Sequence, residues 1–174
     1  MKRYHPVLVA LHWLLALLII LALVAGNVLL DAVPNSDPNK IQSLQNHMVL
    51  GITIGVLLVI RLVTRLATDK PPHADTGNAL LNLAGQVAHW GLYLLAFLMV
   101  GSGLGIALSA GLPAIISGNG TLPADFSHLA PRAAHGIISK LLMLLIAAHV
   151  AGWAYHAVFV KDRLLSRMWF GKRS

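Results

Sequence analysis

Four long apolar runs, separated by short polar or Gly/Pro-rich stretches, dominate the chain. Residues 7–30 carry only His12 and Asn27 as strongly polar side chains, and the polar sequence DAVPNSDPNK follows. A second run, about 46–66, ends on Arg61 and Arg65 before Asp69, Lys70, Pro71 and Pro72 break it. The third covers about 85–108. A Gly/Pro-rich connection over 111–131 leads to the fourth, about 132–160, and a basic tail. Each run reaches the roughly 20 residues that a membrane-crossing helix needs. The first is too long for a signal peptide and lacks a cleavage site, so it is expected to be retained. The pattern predicts an all-α, integral membrane four-helix up-down bundle without strands, forming one domain over 1–174.

Composition sharpens this picture. Of 174 residues, 57% are hydrophobic and 11% charged, with mean hydropathy +0.73. That is more apolar surface than one water-soluble core can bury, and too little charge for a disordered chain. The absence of cysteine excludes disulfides, thiolate zinc sites, iron–sulfur clusters and thioether-linked haem. Any metal must be held by nitrogen or oxygen.

The net charge of +7 raises the question of nucleic acid, but the basic residues crowd the ends of apolar runs, where anionic lipid headgroups would meet them. Membrane lipid, and no nucleic acid, is the expected partner. Lys2, Arg3, Arg61, Arg65, Lys70, Lys161, Arg163, Arg167, Lys172 and Arg173 share one side with both termini, whereas only Lys40 and Arg132 flank the spans on the other. The positive-inside rule then puts both termini of a multi-pass membrane protein in the cytoplasm.

Ionisable residues inside a bilayer are costly, yet His12, His47, His89, His135, His149 and His156 all fall within or at the ends of spans. A lone histidine is ordinarily a hydrogen-bonded packing residue or interfacial anchor, so spacing must decide. His135 and His149 are fourteen residues apart. That separation is about 21 Å of helical rise on nearly one face. His12 is level with His149 near the inner side, and His47 is level with His135 near the outer side. Two cross-helix imidazole pairs result, one above the other.

Opposed neutral imidazoles suit six-coordinate haem iron, whose other four ligands come from the porphyrin. His47 to Arg61 and His12 to Gly26 repeat the fourteen-residue step. Arg61 is therefore a candidate partner for a propionate of the inner haem, or else a snorkelling anchor. Gly26, Gly51 and Gly55 could give the outer porphyrin room, while helix contacts alone would also explain such glycines. Lys140 either snorkels outward, partners a propionate or attracts an anion at the outer face.

The LHW around His12, NHMVLGITIGVLLVIRLVTRL over 46–66, AHWGLYLL over 88–95, and His135 with His149 followed by AGWAYH resemble the bacterial cytochrome b561 family and its relatives among dehydrogenase cytochrome b subunits. The resemblance spans nearly the whole chain. It implies two haem b groups, with His12 and His149 on the inner iron and His47 and His135 on the outer. His89 and His156 match further family histidines and become candidates for quinone hydrogen bonding or proton transfer, or for structural anchoring.

Some members of that family oxidise superoxide and reduce ubiquinone. The resemblance thus implies a di-haem oxidoreductase that passes electrons from an outer-face donor, superoxide, to ubiquinone. An electron-relay subunit fed by a periplasmic protein or dehydrogenase is the alternative, and a non-redox helical scaffold or metal carrier is a third. Asp31, Asp37 and Asp125 oppose the modest positive charge of Lys40, Arg132 and Lys140 at the outer face, which weakens the superoxide assignment.

Overall fold

The computed structural model describes residues 3–171; Lys2, Lys172 and Arg173, three of the cations used above to assign the inner side, lie outside the described residues. In hydrocarbon a spanning segment must satisfy its own backbone, and each apolar run accordingly forms one continuous helix. Helix α1, Pro6–Val24, starts at a proline that needs no hydrogen-bond acceptor, with Nδ1 of His5 accepting from the Val7 amide. It continues as a π-helical turn, Ala25–Leu30. Helices α2, Lys40–Ala67, and α3, Ala79–Ser109, follow. A short α4, Leu112–Ile116, precedes α5, Ala130–Tyr155, which ends in a π turn, His156–Val160. No strand occurs among the described residues.

Four helical segments, Pro6–Leu30, Lys40–Ala67, Ala79–Ser109 and Ala130–Val160, are long and apolar enough to cross a membrane, and only 11–22% of each apolar window is buried within the protein. The remaining apolar surface suits lipid and would be untenable in water. Two helices begin earlier than the apolar runs suggest, α2 at Lys40 and α3 at Ala79. Their first turns, KIQSLQ and ALLNLA, are mixed in polarity. Capping explains the second case: the Asn78 side chain accepts from the Leu80 and Leu81 amides. In the first, Lys40 is only 6% exposed and its ammonium donates to the carbonyls of Leu30 and Val33, closing the end of α1.

Within the connection over 111–131, α4 was not apparent from composition. Gly111, at φ 64°, makes the left-handed turn into it, and Pro113 lies in its first turn. Leu112 and Ile115 then pack with Leu44 and Ala107 to close the end of the bundle far from the described chain ends.

Among the spans, α1 packs on α2, α2 on α3, and α5 chiefly on α3. Leu15, Ile54, Leu58, Tyr93 and Ala96 form the core of the first three. Side chains rather than close backbone packing connect α5 to the α1–α2 pair. At the other end a 3-10 turn, Leu164–Met168, folds beneath α1: Trp13 Nε1 donates to the Met168 carbonyl at 2.8 Å, and the Arg167 guanidinium donates to the Pro72 carbonyl at 2.8 Å. The described ends of the chain and the α2–α3 connection therefore gather on one face.

Candidate functional site: two stacked histidine pairs

Across the gap between α5 and the α1–α2 pair, imidazoles meet at two depths. His12 of α1 faces His149 of α5 with ring centres 6.3 Å apart and planes at 70°. His47 of α2 faces His135 of α5 at 6.2 Å and 77°. The fourteen residues between His135 and His149 separate the pairs along α5, as the sequence spacing requires.

The His47–His135 pair, the outer one in the orientation the charge bias predicts, borders a cavity of ≈ 360 Å³ lined also by Gly26, Gly51, Gly103, Gly136 and Lys140. A Cβ at Gly26 would lie 3.3 Å from Cε1 of His47, and one at Gly103 would lie 3.3 Å from Cε1 of His135. Glycine on a neighbouring helix thus gives each ring its seat. Gly51 opens onto the cavity, where a Cβ meets nothing within 4 Å. Gly55 does something else: its Cβ would approach Val100 to 3.1 Å, so it serves the α2–α3 contact rather than the cavity wall. The Ser102 hydroxyl lies 3.0 Å from Nδ1 of His135, whereas Nδ1 of His47 is buried without a hydrogen-bond partner.

Around the His12–His149 pair, the inner one in that orientation, the neighbours are cationic and aromatic. The Arg61 guanidinium is 3.5 Å from Nδ1 of His12, hydrogen-bonds the Tyr93 hydroxyl and lies over the Tyr93 ring. Arg65 stacks on Trp90 and Tyr93 with its Nε buried and unpaired. His89 approaches His149 to 5.2 Å. His156 lies further inward on α5 and pairs with Asp162 at 2.9 Å.

The sequence matches the prokaryotic cytochrome b561 family over residues 3–171. The chain belongs to that family. Relatives similar along nearly their full lengths are a probable superoxide oxidase CybB of Yersinia pestis, 26% identical over 99% of this chain and 98% of the relative, and cytochrome b561 homolog 2 of Escherichia coli strain K12, 27% identical over 99% and 94%. As a b561 cytochrome the protein is a multi-pass membrane electron-transfer protein that binds haem b.

The residues present fit such a cofactor. Imidazole nitrogen binds a first-row transition metal at about 2.0 Å, so two rings sharing one metal from opposite sides have centres about 6.2 Å apart once about 1.1 Å from nitrogen to ring centre is included. Both pairs have that separation. The 5.2 Å between His89 and His149 is about 1 Å too short for a metal in between. Among the described residues, no group of three or more His, Cys, Asp or Glu side chains could hold a bare metal ion. Two imidazoles alone suit a metal whose other ligands arrive with a macrocycle.

Several participants in this b561 site carried no sequence signal strong enough to single them out. Gly103 was one glycine among many, and Ser102 is an ordinary helix residue until its neighbour across the gap is known. Tyr93 is four residues after His89, a spacing that could have suggested a shared face. Asp162 follows the last span, where helical periodicity no longer applies.

Proposed function

We propose that this b561 cytochrome holds two haem b groups, an inner one between His12 and His149 and an outer one between His47 and His135, and moves electrons from a donor at the outer face to ubiquinone at the inner. The observation that carries this reading is the repetition of one imidazole geometry at two depths, 6.3 and 6.2 Å, along a single helix. When bound, haem iron supplies a reversible one-electron couple.

The protein supplies position and electrostatics. His12, His47, His135 and His149 would hold the two haem irons, Gly26 and Gly103 seat the rings of His47 and His135, and Gly51 leaves room beside them. Arg61, close to His12, provides a cation for an inner propionate and favours the electron-rich state there. The positive-inside bias supports cytoplasmic termini in a bacterial inner membrane, with the cavity toward the outside.

Superoxide is the donor that one relative, the probable superoxide oxidase of Yersinia pestis, favours. Two superoxide anions, one quinone and two protons give two dioxygen molecules and one quinol. Lys140 lines the outer cavity and would draw an anion. Two other cations near its mouth are already engaged: Arg132 pairs with Asp31 at 2.6 Å, and Lys40 holds backbone carbonyls. This engagement favours, as the second reading, a relay fed by a periplasmic protein or dehydrogenase.

Stopped-flow mixing of the purified, oxidised protein with superoxide, with and without a short-chain ubiquinone, separates the two. Rapid haem reduction followed by quinol formation supports the oxidase. No reduction by superoxide, with rapid reduction by a protein donor, identifies the relay.

A further inference from the structure

The chain leaves its last span through a tight double turn. Lys161 at φ 56° and Arg163 at φ 53° are both left-handed, with Asp162 between them. Left-handed backbone at a non-glycine residue is unfavourable and persists only where its surroundings impose it. Here it sorts the side chains by charge. The Asp162 carboxylate is turned back onto His156 and the Leu164 amide, whereas Lys161 and Arg163 are exposed. Neither cation forms an ion pair with a carboxylate of a described residue.

The segment beyond the turn is held to α1 through its backbone carbonyls. The Arg3 guanidinium donates to those of Trp169 and Phe170 at 3.3 and 2.6 Å, the Tyr4 amide to that of Arg167 at 3.1 Å, and Trp13 to that of Met168. Gly171 permits this fit, because a Cβ there would lie 2.5 Å from the Arg3 guanidinium. The apolar side chains of the same segment are left uncovered: Leu165 is 37% exposed, and Trp169 and Phe170 are each 53% exposed. A small free anion would use the two cations and ignore these three groups. A phospholipid uses both, its phosphate meeting the cations and its glycerol and upper acyl region meeting the aromatic rings where a span ends.

We propose that residues 161–170 form a binding surface for anionic phospholipid, with the headgroup on Lys161 and Arg163 and the upper acyl chains against Leu165, Trp169 and Phe170. A net negative headgroup is specified because a zwitterionic one brings its own cation to a surface that is already positive. The surface is coupled to a histidine pair through Trp13. Its indole hydrogen-bonds the Leu164–Met168 turn, and its ring centre is 5.9 Å from that of Trp169 and 5.2 Å from that of His12. Lipid that steadies the turn therefore steadies the His12 side of its pair.

The test follows amide hydrogen exchange of the full-length, haem-loaded protein in nanodiscs of phosphatidylcholine, alone or mixed with phosphatidylglycerol. Phosphatidylglycerol should slow exchange over 161–171 at least about tenfold, the order expected for two cations at an anionic surface, and leave residues 117–128 at the opposite end unchanged. Lys161→Asn combined with Arg163→Asn removes both charges with a residue that tolerates left-handed backbone, and should exchange alike in the two lipids. Haem loss on heating should be slower with phosphatidylglycerol in wild type and equal in both lipids in the variant. No slowing of exchange, or the same slowing in wild type and variant, overturns the surface. Equal protection by inorganic phosphate in phosphatidylcholine discs makes it a free-anion site and overturns the lipid assignment. Slowed exchange with unchanged haem loss overturns the coupling through Trp13. Should the double variant fail to load haem, a salt titration of wild type in the mixed discs decides: protection that fades as salt screens the charges supports the surface, and protection indifferent to salt overturns it.

Discussion

The two histidine pairs have almost the same separation and very different surroundings. The outer pair is built by removal of side chains: glycines lie against both imidazole edges, and a cavity adjoins them. The inner pair is built by addition, with Arg61 and Tyr93 beside His12, and His89 against His149. One half of the bundle thus offers space and the other offers positive charge. Positive charge next to a redox centre stabilises its reduced form, so the inner centre should have the higher potential and electrons should run inward from the outer one.

The largest effects should come from filling the outer space. Gly103→Leu forces a side chain into the seat of His135, where even an added Cβ would lie 3.3 Å from the ring, and should remove most of the outer haem while the inner one remains. Gly51→Leu tests occupancy of the gap itself, because its Cβ meets no protein atom and would compete only with whatever fills the cavity. Gly55→Leu should instead disturb α2–α3 packing against Val100 and leave the outer absorption band in place in whatever protein folds. Haem content and reduced-minus-oxidised spectra of the three variants decide whether the outer half is a vessel for a macrocycle.

A smaller effect should follow from removing charge at the inner half. Arg61→Gln takes a cation away from His12 and should lower the inner haem potential by roughly 50 mV, the order expected for loss of one partly screened positive charge. The outer potential should move little. A redox titration showing both haems shifted equally would dissolve the distinction between the halves.

The smallest effect lies outside the bilayer. The Asn82 amide donates to Asp75, and together with the Gly77 amide it holds the Asp75 carboxyl below the usual carboxylate range. A carboxylate with a depressed folded pKa stabilises the fold above its unfolded value, and that contribution disappears as pH falls through the folded value. Asp75→Asn should therefore lower thermal stability slightly at neutral pH, and the difference from wild type should shrink in acid. Haem spectra should not change.

Much of this arrangement was legible in the sequence because a bilayer imposes simple rules. Spans must be long and apolar, so all four were evident, and the fourteen-residue step from His135 to His149 placed two imidazoles on one face. The same step brought Arg61 to the level of His12, where the two side chains meet. What was hidden depends on contacts between helices. Gly55 and Gly51 are equivalent in sequence terms, yet one faces Val100 and the other faces open space. The early starts of α2 and α3 depend on polar turns that hydropathy treats as loop, and Asp162 reaches His156 through two left-handed residues that no periodic pattern encodes.

Haem stoichiometry across the four histidine substitutions tests the central claim most directly. Purified wild-type chain should hold two haem b groups, and His12→Ala or His149→Ala should each lose the inner one alone. His47→Ala or His135→Ala should each lose the outer one alone, so that variants within a pair give matching spectra and variants from different pairs give complementary ones. A wild-type chain with a single haem, or His89→Ala losing a haem while His12→Ala keeps both, would contradict the pairing on which the whole electron path rests.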